Sequence, residues 1–240
     1  MNSDSLKILY TWALLLSIGI FIFVFVHECG HGFGFTIDGI KVSTGFNKVG
    51  DPGKKPQDPD FRSSTVIKGG LTSGSLLGPF LNWIFAIVFT AALLLQKKAG
   101  KRALILASAA VSNAILRFVP MLGFFIAAAT GRFILEDEVG WGLRSIQGLE
   151  FPMSHEIFRK LSLSQPEIFL SEPRIYFWSA VSLLISVACL ILAYRHLISL
   201  YKQQISSHLF RWSFVFMPLA VWPFILIAMN FLDRNLRINW

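Results

Sequence analysis

The sequence predicts an all-α polytopic membrane protein with about five transmembrane helices and a small membrane-associated hairpin after the first of them. Two observations lead to this fold class. Of the 240 residues, 54% are hydrophobic and only 15% are charged, whereas soluble domains carry roughly 25% charged residues. The apolar residues also cluster in segments close to the length of about 20 residues that crosses a bilayer as a helix.

The candidate spans follow from where the charges are missing. Four charge-free segments have or approach the required length: Ile8–Val26, Gly69–Gln96, Ile175–Tyr194 and Trp212–Leu232. A fifth segment, Ala103–Gly131, is interrupted only by Arg117. Neither half of it could cross a bilayer alone, so we expect one helix, broken at Pro120. We expect the first span to be an uncleaved anchor that ends near Gly32 or Gly34.

The segments between the spans are polar and rich in turn residues. Residues 35–68 contain several Pro, Gly and Asp residues, and the stretches Ile40–Phe46 and Ser64–Ile67 would suit a small sheet or hairpin. The chain then divides into three regions: a core over 1–138, a polar segment over 139–174 and two further spans over 175–240. The side reached by the first span carries more Lys and Arg, which favours a cytoplasmic location for that side.

The net charge of +8 does not indicate nucleic acid binding. Basic residues lie at the edges of spans, as in Lys97-Lys98-Ala-Gly-Lys101-Arg102, where they anchor helices to lipid headgroups. The two cysteines, Cys29 and Cys189, lie in or at the end of apolar spans, so we expect no disulfide framework. The expected surroundings are therefore a lipid bilayer.

A short motif at the end of the first apolar segment carries the chemistry. His27-Glu28-Cys29-Gly30-His31 has the form H-E-x-x-H. On a helix, His27 and His31 lie on one face, where both imidazoles can bind one zinc ion. Glu28 could take a proton from a metal-bound water as a general base. An ionisable residue in a membrane costs at least about 2.5–3.5 kcal/mol, so three of them at this spacing indicate function rather than packing.

With this motif at the end of an apolar span, the chain resembles the site-2 protease family of intramembrane zinc metalloproteases. A second segment, Gly78-Pro79-Phe80-Leu81-Asn82 followed by Trp83-Ile-Phe-Ala86, is similar to the G-P-x-x-N-x-x-x-A segment on the next core helix of that family. The resemblance implies that Gly78, Pro79 and Asn82 position the substrate near the active site, and that Asn82 helps to hold or open the substrate strand. A helix-packing role for the Asn82 amide is the alternative.

The resemblance also implies a third zinc ligand, an Asp from an N-x-x-P…D-G segment on the third core helix. Residues 113–120 resemble the front half of that segment, but no Leu-Asp-Gly follows. The first acids after it are Glu136-Asp137-Glu138. We expect Asp137 to be the third ligand. Glu136 and Glu138 stay open, Asp38 is a distant choice, and a solvated acidic turn is the alternative.

Arg117 is the one charge within the third segment. A lone Arg in a membrane is costly unless it is paired or wetted. We expect it to be a counterion to one of the acids. Stabilisation of the oxyanion formed during peptide hydrolysis is the alternative.

Together these features predict a zinc-dependent endopeptidase, with Zn2+ as cofactor, that cleaves a membrane-spanning protein within or near the bilayer. The resemblance implies regulated intramembrane proteolysis. Two other functions stay open: a non-catalytic relative that binds transmembrane helices, and, less favoured, a metal transporter that uses His27 and His31 as a transit site. The sequence leaves the substrate and the oligomeric state open.

Overall fold

Eight helices and three short strands make up the computed structural model over the residues it describes, which are 3–46, 48–56, 58, 73–143, 155–204 and 207–240. The helices are α1 (Ser3–Ile37), α2 (Ser73–Leu94), α3 (Lys101–Ala129), α4 (Asp137–Leu143), α5 (His155–Ser164), α6 (Pro166–Ser171), α7 (Pro173–Leu200) and α8 (His208–Asp233). The strands are β1 (Ser43–Thr44), β2 (Val49–Gly50) and β3 (Ile238–Asn239). Among the described helices, α1, α2, α3, α7 and α8 are long and apolar enough to cross a membrane, so the predicted fold class with five spans is confirmed.

Helix α3 is the most buried of these five candidate spans, and it packs against α1, α2, α7 and α8. Its small residues allow the close approach, since Ala107, Ala110 and Ala114 are all buried. A Cβ atom added to Gly19 of α1 would lie only 2.6 Å from the Ser112 hydroxyl oxygen of α3. Small residues at contacts between helices are the usual solution in lipid, where the hydrophobic effect does not drive helices together.

At the end of the molecule away from the H-E-x-x-H motif, α8 contacts α1, and the residue after α7 contacts the turn between α2 and α3. The Trp12 ring of α1 stacks on Phe214 of α8 with 4.6 Å between ring centroids. The indole nitrogen of Trp12 also donates a hydrogen bond to the Phe214 carbonyl oxygen at 3.0 Å. The Tyr201 hydroxyl, just after α7, bonds the backbone nitrogen and oxygen of Gly100, both at 2.9 Å.

The expected end of the first span is wrong. Helix α1 continues past Gly32 and Gly34 to Ile37, because in lipid an interrupted helix would leave backbone groups without partners. The helix ends where Gly39 takes a positive φ of 73°. Ile40 N–H then donates to the Phe35 carbonyl at 2.9 Å, which closes the helix as a Schellman motif.

The expected break in the third segment is also wrong. Helix α3 continues through Pro120 to Ala129. Helix α2 likewise continues through Pro79. Proline is tolerated in membrane helices because neighbouring groups and small local adjustments satisfy the carbonyl that the ring leaves without a donor.

The hairpin predicted after the first span is present. Strand β1 lies within the expected stretch Ile40–Phe46 and pairs antiparallel with β2, whereas the stretch Ser64–Ile67 lies outside the described residues. A third strand, β3, pairs antiparallel with the other edge of β1 and gives the order β2-β1-β3. The sequence did not predict β3, because a two-residue strand has no measurable periodicity.

Strand β3 brings the residues after α8 to the end of α1. The Trp240 backbone N–H donates to the Val42 carbonyl at 3.0 Å. Its indole N–H donates to the Thr44 hydroxyl at 2.8 Å. A Cβ atom on Gly32 would overlap the Trp240 ring, so the indole lies directly against the helix that carries the H-E-x-x-H motif.

Candidate metal centre

Three side chains from two helices meet near the end of α1. His27 and His31 lie one turn apart on α1, and Asp137 is the first residue of α4. The Nε2 atoms of the two histidines are 3.1 Å apart, and each is 3.5 Å from Oδ2 of Asp137. Ligand atoms about 2.0–2.2 Å from a tetrahedral zinc ion lie roughly 3.3 Å from one another. The three atoms therefore match three corners of a zinc site.

The tautomer of His31 follows from its second ring nitrogen. Nδ1 of His31 lies 2.5 Å from the Gly74 carbonyl oxygen at the start of α2. A carbonyl oxygen only accepts hydrogen bonds, so Nδ1 carries the proton. The Nε2 lone pair of His31 then points to His27 and Asp137 and is available to a metal.

The tautomer of His27 is set by a chain of amides. Asn113 Nδ2 donates to the Ala109 carbonyl at 2.8 Å, which leaves its Oδ1 to accept from Asn82 Nδ2 at 3.0 Å. The Asn82 Oδ1 must then accept from Nδ1 of His27, which lies 2.6 Å away. The backbone carbonyl at the far end thus sets the direction of the whole chain. His27 also turns an unprotonated Nε2 toward the cluster.

The chemistry of this donor set suits a metal cation. Two imidazole lone pairs and one carboxylate oxygen converge on one point, and a positive charge between them removes their mutual repulsion. Nitrogen and oxygen donors at these distances are the ligands that zinc takes in catalytic sites with three protein ligands. The residues present therefore fit the zinc ion that the sequence predicts.

Two glycines let α1 and α2 approach closely enough to build the site. A Cβ atom on Gly78 would overlap the imidazole of His31. A Cβ atom on Gly30 would lie 2.8 Å from Cδ1 of Leu81. Pro79 is buried beside Gly78 in the second turn of α2. The segment expected to lie near the active site therefore contacts a predicted ligand directly.

The three consecutive acids have different partners, although one arginine faces them all. Arg117 NH1 lies 3.2 Å from Asp137 Oδ2, its Nε 3.5 Å from Glu138 Oε1, and its NH2 3.9 Å from Glu136 Oε2. The ion pair expected for Arg117 is thus present. Asp38, the distant choice for third ligand, instead accepts a hydrogen bond from the Gly74 backbone N–H at 3.2 Å.

The pKa values of two acids differ because their surroundings differ. Burial alone would raise the pKa of Asp137, but a protonated His31, hydrogen bonds from protonated histidines and the Arg117 charge hold it well below its usual range, and a metal cation that replaces those protons would act in the same direction. Burial raises the pKa of Glu136 to about 7, against the opposing charge of Arg117. Asp137 is therefore the acid that is held ionised at the cluster, as a metal ligand must be.

Glu28 is half-buried on α1, next to His27. Its carboxylate is within electrostatic reach of His31, Asp137 and Asp233, the last at the end of α8. Its backbone carbonyl accepts a hydrogen bond from the Thr44 hydroxyl of β1 at 3.5 Å. Glu28 is not one of the three residues whose ligand atoms converge.

Sequence reasoning missed the residues that orient the two histidines. Asn82 was expected to hold the substrate, but both of its polar atoms bond within the protein, to His27 and Asn113. Asn113 was part of the resemblance with no role given to it. An amide in the middle of an apolar span is the signal for such a contact, because it needs a partner in lipid. The Gly74 carbonyl gives no sequence signal, since every residue has one.

Comparisons of the chain with protein-family models, with curated proteins and with solved structures found no match.

Proposed function

We propose that this chain is a zinc-dependent intramembrane endopeptidase that cleaves a membrane-spanning protein within or near the bilayer. One observation carries the proposal: His27, His31 and Asp137 turn three ligand atoms to one point, and Glu28, next to His27 on α1, is within electrostatic reach of His31 and Asp137. Two of these ligands and Glu28 lie on a helix that is long and apolar enough to cross a membrane.

Each residue of the site has a proposed role in peptide hydrolysis. His27, His31 and Asp137 hold the metal, which when bound supplies a water of lowered pKa and polarises the scissile carbonyl. Glu28 takes a proton from the attacking water on its carboxylate and passes it to the leaving amide nitrogen. We assign Asn82 to the orientation of His27, to which it is hydrogen-bonded. We assign Arg117 to the charge balance of Asp137 rather than to oxyanion stabilisation, because its NH1 lies 3.2 Å from the Asp137 carboxylate.

The partners follow from the setting of the site. A substrate must reach the end of α1 from the bilayer, so we propose a protein with a transmembrane segment that unwinds locally to expose its carbonyls. Release of a membrane-anchored regulator is the form of proteolysis that the resemblance favours. The excess of Lys and Arg on this side supports a cytoplasmic location.

The orientation has its own test. Cysteines introduced one at a time at Lys55, after β2, and at Lys98, between α2 and α3, would be treated in intact cells with a membrane-impermeant maleimide. We expect labelling at 98 and protection at 55. The reverse pattern would place the site on the outer side.

The main experiment compares Glu28→Gln with wild type in the full detergent-purified chain. We expect about one zinc per chain in both, and a loss of cleavage of at least about 100-fold in the variant, because the amide cannot take a proton. Cleavage is read on a panel of single-span reporter proteins co-expressed with the chain. Glu167→Gln, at an exposed position of α6, is the matched control and should behave as wild type.

Other outcomes would point to the other functions. Equal cleavage by Glu28→Gln and wild type would remove Glu28 from the mechanism. Zinc without cleavage of any reporter, but with stable capture of single-span helices, would indicate a non-catalytic binding protein. Zinc flux in proteoliposomes that is lost in His27→Ala would indicate a transporter.

A further inference from the structure

Buried polar contacts connect span α7 to the metal centre: Ser182 of α7 bonds Glu138, and Arg117 lies near both Glu138 and Asp137. The Arg117 side chain is only 5% exposed, and its two nearest acids are Asp137 and Glu138. Asp137 offers the same oxygen, Oδ2, to the guanidinium and to both histidines. A carboxylate that serves a metal and an arginine at once is weakened as a ligand unless the arginine has another counterion.

Glu138 is placed to be that counterion. It is fully buried, and its Oε1 atom lies 3.5 Å from Nε of Arg117. With zinc bound, the metal and Arg117 would bring three positive charges to the acids of residues 136–138. Removal of the Glu138 charge would leave Asp137 as the nearest anion for both cations.

Two hydrogen bonds connect α2 to Glu138 through Ser182 of α7. Trp83 Nε1 lies 3.0 Å from the Ser182 hydroxyl oxygen, and an indole nitrogen only donates. Ser182 accepts from Trp83 and donates its own proton to Glu138 Oε1, at 2.7 Å. The same Oε1 atom lies within ion-pair distance of Arg117.

Two neighbouring residues of α2 take part in the hydrogen bonds around the metal centre. Asn82 orients His27, and the next residue, Trp83, begins the chain through Ser182 to Glu138. Neighbouring residues of one helix therefore support two different metal ligands. Ser182 lies on α7, a span that had no predicted role in the site.

We propose that Glu138 is a positioning residue for the metal centre: held by Ser182 of α7, it shares the charge of Arg117 with Asp137 and so keeps the Asp137 carboxylate available to zinc. This inference rests on the proposed function, because it assumes a metal at His27, His31 and Asp137. It makes α7 the fourth span, after α1, α2 and α3, that contributes a residue to the metal centre or its supporting contacts.

The test measures zinc affinity, not cleavage, in the full detergent-purified chain by competition with a graded series of chelators. Glu138→Gln keeps the shape of the side chain and removes its charge. We expect zinc to bind about 10- to 100-fold more weakly, as on loss of other groups that orient metal ligands. Glu136→Gln makes the same charge change on the other side of Asp137, where Arg117 is 3.9 Å away, and should stay within about 3-fold of wild type.

A double variant separates positioning from simple loss of fold. If Glu138 acts through Arg117, Arg117→Met combined with Glu138→Gln should recover part of the lost affinity, because no guanidinium then competes for Asp137. Ser182→Ala should weaken zinc binding several-fold, and Ser182→Thr, which keeps the hydroxyl, should restore it. These serine variants also serve if Glu138→Gln does not fold.

The results that overturn the inference differ from those that overturn the proposed function. Wild-type affinity in Glu138→Gln, equal weakening by both flanking variants, or no recovery in the double variant would each reject the positioning role while zinc binding stands. A wild-type chain that takes up no added zinc would reject the proposed function and this inference with it.

Discussion

Two arginines with buried side chains, Arg117 and Arg237, both interact electrostatically with Glu28 but have different kinds of partner. The Arg117 side chain, 5% exposed, faces three carboxylates, and one of these belongs to the metal cluster. The Arg237 side chain, 8% exposed, donates to the Ser43 carbonyl and the Lys48 carbonyl at 2.9 Å each and to the Ser43 hydroxyl at 3.0 Å. It also lies 3.6 Å from Asp233, one turn earlier in the chain.

The different partners give the two arginine side chains different structural roles. Arg237 spreads its rigid set of donors over the backbone of β1 and β2, and so ties the hairpin to the end of α8. Arg117 donates to side chains whose charges also bind elsewhere, so it takes part in the electrostatics of the site. We therefore expect changes around Arg117 to alter metal binding and changes around Arg237 to alter stability.

The largest expected contrast is between Asp137→Asn and Asp233→Asn, since each removes one carboxylate charge beside a buried arginine. Asp137→Asn should lower bound zinc from about one per chain to less than about a tenth, because a neutral amide is a poor zinc ligand. Asp233→Asn should keep its zinc. The metal content of the two purified variants by mass spectrometry checks this, and zinc loss in Asp233→Asn would contradict the separation of the two regions.

The next contrast concerns Arg237 itself. Arg237→Met should lower the free energy of unfolding by about 2 kcal/mol or more, because it removes charged hydrogen bonds and leaves buried acceptors and Asp233 without this partner. Zinc content should not change. Tryptophan fluorescence on heating in detergent measures the loss, and Arg237→Lys should recover only part of it. Loss of zinc at temperatures where the variant is folded would show that the two regions are coupled.

Two glycine substitutions sharpen the comparison further. A Cβ atom on Gly78 would overlap the His31 ring, and a Cβ atom on Gly45 would overlap the Asp233 carboxylate. Gly78→Ala should weaken zinc binding about tenfold by displacing a ligand. Gly45→Ala should cost about 1–3 kcal/mol of stability and leave zinc bound.

Gly123→Ala is the control for both, because nothing lies within 4 Å of its added methyl group on α3. It should be neutral or slightly stabilising, since Ala favours a helix over Gly by about 1 kcal/mol. Chelator competition and thermal unfolding of all three variants give the result. A fall in zinc affinity in Gly45→Ala as large as that in Gly78→Ala would contradict the assignment.

The smallest expected effect is at the sheet. Thr44→Val removes the hydroxyl that accepts from the Trp240 indole and keeps the shape of the side chain. We expect a loss of about 1 kcal/mol in stability, the usual value of one hydrogen bond. Zinc affinity should stay at the wild-type value. A larger effect on zinc than on unfolding would mean that β3 contributes to the metal centre.

Parts of the site were predictable because they depend on local geometry. His27 and His31 share a face on any helix, since four residues make slightly more than one turn. The five spans follow from length and apolar content, because lipid requires every backbone group to be bonded within the helix. Arg117 was expected to pair with an acid for the same reason that it is rare in a span.

Other parts depended on contacts between distant residues. Asp137 was one of several open choices, and only the placement of α4 against α1 brings its oxygen to 3.5 Å from both histidines. The contact of Asn82 with His27 was not predicted, because it depends on a directional chain of hydrogen bonds from Ala109 through Asn113. The break expected at Pro120 did not occur, since neighbouring groups in a packed bundle can satisfy the carbonyl that proline leaves open.

The sequence by itself determined that this chain is a helical membrane protein with an H-E-x-x-H motif at the end of its first span. Periodicity and hydropathy act over a few turns, and a single helix carries both. The tertiary structure decided which acid meets the histidines, which amide orients them, and that α7 and β3 approach the site at all. Those contacts join segments far apart in the chain, and their hydrogen bonds have a direction that only the assembled bundle defines.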